Sequence, residues 1–291
     1  MKKNLFYAVF FAILLALVSN TVLADTMDWL SSSTDRNWFN VDNWRWGSGG
    51  PAPTAIPDLT STGGSVRTYQ SSASIYGPFI QTGQNAQAYY LKIGGAAANA
   101  SIADVTIDGG SLTVANYILI GSDSSSVRSG RLIMNSGTIN IGTSGSGSST
   151  NGRLYIGGGT SVGAAVDGWL DMSGGTINVL EDLVFSRNVN ADGWAEISGG
   201  TIFANNLLMK SHGGAGTVSL NLTGSGKIVL NGDRTATIEE YIGNGWITGN
   251  GNDYDIVYQY NGSTNQTSIF VPEPTTICLL GLGLIGLVRR K

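Results

Sequence analysis

Asp171 and Glu196 are the acidic residues whose spacing could do chemistry, because they stand 25 residues apart in a stretch that repeats at about that interval. Stacked on neighbouring strands, their carboxylates would lie ~4.8 Å apart and could share a cation. A cation held there, with a Lys or Arg base, is what abstraction of a proton beside a uronate carboxylate requires. Asp182 and Asp192 fall near the pair in sequence, while the nearest cations, Arg187 and Lys210, share no column. Repeated solvent-facing acids also serve simply to keep a strand face soluble. His212, the sole histidine, sits in a Ser-His-Gly-Gly turn, and neither a Ser/His/Asp arrangement nor a His-rich metal site forms around it. The residues thus argue against an enzyme, with no cofactor and no metal site.

Aromatic residues offer a different chemistry. Arg131, Trp169 and Trp194 occupy one position of the repeat, just before its first strand. An exposed tryptophan ladder on a flat face can hold sugar rings by stacking. Two tryptophans also suffice to cover a corner of the fold, and both readings stand.

The elements that position these residues come from an internal repeat. Val105–Val114, Leu132–Ile141, Leu170–Val179 and Ala195–Ala204 superimpose, each with a short strand, a Gly-Gly or Ser-Gly corner and a second strand. A third strand follows at 117–121, 154–157, 183–186 and 207–210. Ser111, Thr138, Thr176 and Thr201 follow the corners at intervals of 27, 38 and 25 residues, the longest holding the Gly- and Ser-rich insertion 142–152. Rungs of a parallel β-solenoid take roughly 20–25 residues, with insertions at the corners. No amphipathic helical pattern separates the strands, which excludes a βαβ fold. An antiparallel sandwich would also give short strands between Gly turns, yet it needs no constant phase of corner and Thr.

The expected fold is all-β: a single right-handed parallel β-helix with an N-terminal aromatic cap and a C-terminal sorting helix that crosses the membrane. Period-two alternation sends Val105, Ile107, Leu112, Val114, Leu170, Met172, Ile177 and Val179 inward. Thr106, Asp108, Asp171, Ser173, Glu196 and Ser198 then face outward. Ile177 is expected between Ile139 and Ile202, so that an Asp there is disruptive while Asn178→Asp is nearly neutral. Lys210 reads in the column of Ile120 and Phe185, which predicts a one-residue register shift of that strand. A degraded fifth unit starts at Val218 with a turn at Gly224-Ser225-Gly226, and an incomplete one ends at Tyr90–Gly94.

Open ends of a coil need covering. Trp29, Trp38, Phe39, Trp44 and Trp46 supply an N-terminal cap within 25–60, and the solenoid occupies 61–271. It closes on a hairpin, Tyr254–Tyr260 and Thr267–Val271, around Asn261-Gly262-Ser263.

Targeting signals stand at both termini. Lys2 and Lys3, the apolar run Leu5–Val18 and Val22-Leu23-Ala24 make residues 1–24 a signal peptide for the general secretion machinery, with the mature chain starting at Asp25. At the other end come Pro272-Glu273-Pro274, an apolar run Ile277–Val288 and the closing Arg289-Arg290-Lys291. Twelve apolar residues cover roughly 20 Å as a helix, short of the ~30 Å hydrocarbon core, with the basic stop held on the cytoplasmic side. Deleting 272–291 is therefore expected to release a folded protein.

That arrangement resembles the PEP-CTERM sorting signal, which implies an exosortase-type membrane enzyme as a partner and removal of the tail. Asn37-Trp38-Phe39-Asn40-Val41-Asp42-Asn43-Trp44, followed by Pro51, Pro53, Pro57 and Asp58, resembles the opening of bacterial surface proteins with autotransporter-like β-strand repeats. This second resemblance implies fold far more than activity.

Composition sets further bounds. Residues 25–271 carry 11 Lys plus Arg against 19 Asp plus Glu once Lys2, Lys3, Glu273 and Arg289–Lys291 are set aside, which disfavours nucleic acid as a partner. The one cysteine, Cys278, lies in the tail, so the exported part is held without disulfides. The expectation is a secreted surface or extracellular-matrix protein with a structural or adhesive role, touching extracellular polysaccharide weakly and many times over. The alternative is a polysaccharide lyase or other polysaccharide-processing enzyme on the same fold.

Overall fold

The computed structural model describes residues 27–29, 35–46, 56–57, 65–68, 77–94, 102–121, 129–142, 152–158, 166–187, 190–210 and 216–272. The signal peptide 1–24, the apolar run Ile277–Val288, Glu273, Pro274, Arg289, Arg290, Lys291 and His212 lie outside these residues. Among the described residues no helix is long and apolar enough to cross a membrane.

Alternation of apolar and polar residues builds a coil of stacked strands. Turn one comprises Phe79–Gln81, Asn85–Ala88 and Tyr90–Ile93; turn two, Ala103–Val114 and Ile118–Ile120; turn three, Gly130–Ile141 and Leu154–Ile156. Turn four comprises Val166–Met172, Thr176–Val179 and Asp182–Phe185; turn five, Ala191–Ile197, Thr201–Ala204 and Asn206–Met209. A sixth turn begins with Val218–Leu222 and Lys227–Asn231. First and second strands of the turns, with Ile247–Gly249, Val257–Asn261 and Gln266–Phe270, form one 13-stranded sheet, and the five third strands, with Met27–Trp29, Trp44–Trp46 and Ser65–Thr68, form an 8-stranded sheet.

Stacking within the coil is parallel, which removes the antiparallel sandwich. Leu132, Leu170 and Ala195 align, as do Thr138, Thr176 and Thr201, so the repeat alignment is the register of the sheet. Ile177 lies between Ile139 and Ile202 and is fully buried. All eight side chains expected inward belong to the core. Thr106 departs from expectation: it faces outward in parity yet is buried, paired beside Phe79 and with an Arg36 guanidinium nitrogen 3.4 Å from its hydroxyl.

Corners are made by residues of positive φ. Gly200 has φ +80°, and a Cβ there would lie 2.5 Å from the Gly175 carbonyl oxygen of the turn before, so only hydrogen fits. After the third strand, Gly121, Gly157, Ser186 and Lys210 all adopt positive φ, from 52° to 97°. This corrects the register shift expected at Lys210. Phe185 pairs with Met209, so Lys210 is in the corner column of Ser186, outside the barrel of apolar side chains. Its ammonium lies 5.2 Å from the centre of the Trp246 ring.

Both ends are covered. Met27–Trp29 pairs parallel with Ser65–Thr68 and antiparallel with Trp44–Trp46, extending the third-strand sheet past turn one. Trp29, Trp38 and Trp44 have no exposed surface and meet edge-to-face, Trp44 at 4.9 Å from each of the other two. Trp44 also donates its indole N–H to the Trp38 carbonyl at 2.8 Å. At the far end a helix, Thr235–Gly243, replaces the third strand of turn six. Its Tyr241 hydroxyl receives the Met209 N–H at 3.4 Å and donates to the Leu207 carbonyl at 3.5 Å, serving the edge that a next strand would have covered. The expected hairpin is Val257–Asn261 with Gln266–Phe270, and its second strand continues the sheet antiparallel to Lys227–Asn231.

Candidate functional site

The outer surface of the first strands carries the residues singled out above. Residues two apart on one strand share this surface, and parallel register sets like positions side by side along the coil. One column runs Asp104, Arg131, Trp169, Trp194 and Ser219. Two residues further along the strand a second column runs Ile133, Asp171, Glu196, Asn221 and Thr248. Two residues in the other direction Asp167 pairs with Asp192. The tryptophan pair thus has a carboxylate pair on each side.

Strand spacing fixes the aromatic geometry. Trp169 and Trp194 stack with ring centres 5.0 Å apart and planes 16° from parallel, and both are half-buried. Ser219 follows Trp194 in the column and is too short to cover its ring.

The carboxylates are engaged by neighbours. Arg131 Nε donates to Asp171 Oδ2 across one turn, an ion pair open to solvent and worth up to ~1 kcal/mol. Glu196 accepts both bonds from the Asn221 amide, at 2.8 and 3.1 Å, and one from the Thr223 hydroxyl at 3.4 Å. Asn221 in turn accepts the Thr248 hydroxyl at 3.0 Å and the Gly251 N–H at 2.9 Å. Asp192 accepts the Thr217 N–H, and Asp167 accepts the Ser129 hydroxyl at 3.2 Å. Burial pushes the Asp167 carboxyl above its ordinary value of 3.8; the Ser129 bond opposes this and the Asp192 charge adds to it.

Other residues named from sequence are placed elsewhere. Asp182 is buried on the third-strand sheet, bonded by Arg153 at 2.8 Å and by Asn206 at 2.7 Å, so it is no part of this surface. Arg187 lies 4.7 Å from the centre of the Tyr155 ring. The basic partner of Asp171 is Arg131, which stands in the tryptophan column and reaches Asp171 on a diagonal. Among the described residues no three His, Cys, Asp or Glu side chains converge as a metal site. Clefts of about 300 Å³ at Gly224–Lys227 with Phe270–Pro272, and about 270 Å³ at Asp35–Asn37 with Phe79, Gln81 and Gln84, lie away from the tryptophans.

Phe270 is the last residue of the sheet ladder, Val271 packs into the core, and Pro272 follows at the rim. From Phe270 onward, residues 270–291 match the PEP-CTERM protein-sorting motif. The motif implies export, a location at the cell envelope or surface, and processing by an exosortase-type sorting enzyme. No curated protein and no solved structure matches the chain.

Proposed function

We propose that this chain is a non-catalytic surface or matrix protein whose solenoid makes weak, repeated contact with extracellular polysaccharide. The coil is taken as right-handed, as parallel β crossovers favour, and the tail Ile277–Val288 as its membrane anchor before processing. The Trp169–Trp194 stack carries the reading: two in-register, half-exposed rings that cover one face of each other and leave an outer face, bordered by hydrogen-bonding groups, for a sugar ring. Sugar rings present C–H faces to such an outer ring face and hydroxyls to side chains such as Asp171, Arg131 and Glu196. A single contact of this size is weak, and many copies on a surface raise the total.

Neutral and acidic polysaccharides titrated against the intact protein, with tryptophan fluorescence as readout, test the proposal. Trp194→Ala should weaken retention on the responding polysaccharide about 3- to 10-fold, the value of one lost stacking contact. Equal retention of the variant and the parent would remove the aromatic face from the reading.

One observation favours a second reading, a polysaccharide-processing enzyme: Arg131 meets Asp171, and Glu196 is one turn away. Incubation with uronate-containing polysaccharides and Ca²⁺ separates the two. Appearance of unsaturated ends that Asp171→Asn abolishes would establish the enzyme, and intact polymer would favour the binding protein.

A further inference from the structure

We propose that the outer edge of the terminal strand Val257–Asn261 is a homodimer seam, at which the strand pairs antiparallel with the same strand of a second copy. The strand closes the 13-stranded sheet, and among the described residues its one ladder partner is Gln266–Phe270. In an antiparallel strand, alternate residues turn their N–H and C=O groups away from the partner, so this edge presents open backbone groups. At the same pole Tyr241 serves the edge of Asn206–Met209, and Asn252 bridges Gly249 at the end of Ile247–Gly249.

The sequence of the edge points to a second copy as occupant. Val257-Tyr258-Gln259-Tyr260-Asn261 holds no charge, proline or glycine, the devices that keep edges apart, in an exported region with an excess of acids. Paired about Gln259, it is self-complementary: Gln259 opposes Gln259, Tyr258 opposes Tyr260, and Val257 opposes Asn261. Amide meets amide and ring meets ring, with no like charges opposed, as a two-fold interface requires. Apolar surface is exposed in and just before the strand, where Val257 is 37% and Tyr254, three residues earlier, 95% exposed. Pro272 leaves the ladder beside Val257, so the two sorting tails would emerge near the ends of one seam. This assembly does not depend on polysaccharide binding.

Charge placed at the two-fold tests it. Gln259 is exposed, so Gln259→Lys and Gln259→Glu leave the core untouched. Sedimentation of the full chain in detergent should show reversible dimers of the parent. Each variant alone should associate roughly 10-fold more weakly, because like charges oppose across the seam, and an equimolar mixture of the two should recover. A monomeric parent at ~100 µM, far above the dissociation constants of stable dimers, overturns the proposal. So does a Gln259→Lys chain that associates like the parent, as tail-driven clustering would give, or a mixture no tighter than its components.

Discussion

Ile177 and Asn178 are neighbours that face opposite ways, and the difference is measurable. Ile177→Asp would put an unpaired charge among Ile139, Ile202 and the rest of the core, with an expected loss of about 3 kcal/mol or more. Asn178 donates from its amide to Asn140 Oδ1 at 2.8 Å, a ladder bond that parity could not reveal. Asn178→Asp sets oxygen against oxygen until Asn140 turns its amide, so the expected loss rises from near zero to at most ~1 kcal/mol. Denaturant melts decide it, and a greater loss at Asn178 would contradict the facing. Asp167 supplies a pH test. Its carboxyl is raised in the folded chain, so the folded state holds the proton longer than the unfolded state. Stability on this account falls as pH rises through the interval from 3.8 to the raised value. Asp167→Asn should flatten that limb and leave the chain no less stable at pH 7; a steeper limb would reverse the sign. The Arg131–Asp171 pair shows where reading by columns stops. It joins positions 40 residues apart on a diagonal, and alignment compares only like positions.

At the scale of the element, regularity decided what could be read. Gly-Gly corners recur because the close approach of Gly200 to Gly175 excludes a side chain, so they mark the register in sequence itself. Turn one lacks that paired mark; its strands Phe79–Gln81 and Asn85–Ala88 pass through Gly83 alone and were not recognised. Lys210 belongs to the column of Ser186 and not of Phe185, and left-handed backbone at Lys is not signalled by residue type. The helix Thr235–Gly243 was missed because it is nine residues long and buries only Ile238 and Tyr241. Its function in the fold is to do a strand's work with one hydroxyl. Tyr241→Phe should therefore cost about 0.5–1.5 kcal/mol. Amide exchange should quicken at Met209, on the edge the hydroxyl serves, and stay unchanged at Leu170 in turn four. Equal quickening at both positions would mean that the helix end holds the whole coil rather than its last edge.

For the whole molecule, the sorting motif begins inside the coil, at Phe270. Phe270 is paired on both sides, to Lys227 and to Val257, and Val271 is 7% exposed against the core, so the fold reaches to the residue before Pro272. Two truncations separate retention from folding. A chain ending at Pro272 keeps every ladder pair and core side chain and should melt like the parent. In cell fractionation it should leave the membranes, since the apolar run and the basic stop are gone. A chain ending at Phe270 loses the Val271 side chain from the core and should be less stable by about 1–2 kcal/mol. Membrane retention of the first truncation would place the anchor elsewhere in the chain. A melting loss in the first as large as in the second would show that residues beyond Pro272 hold the coil, and that the sorting motif enters the fold beyond its first residues.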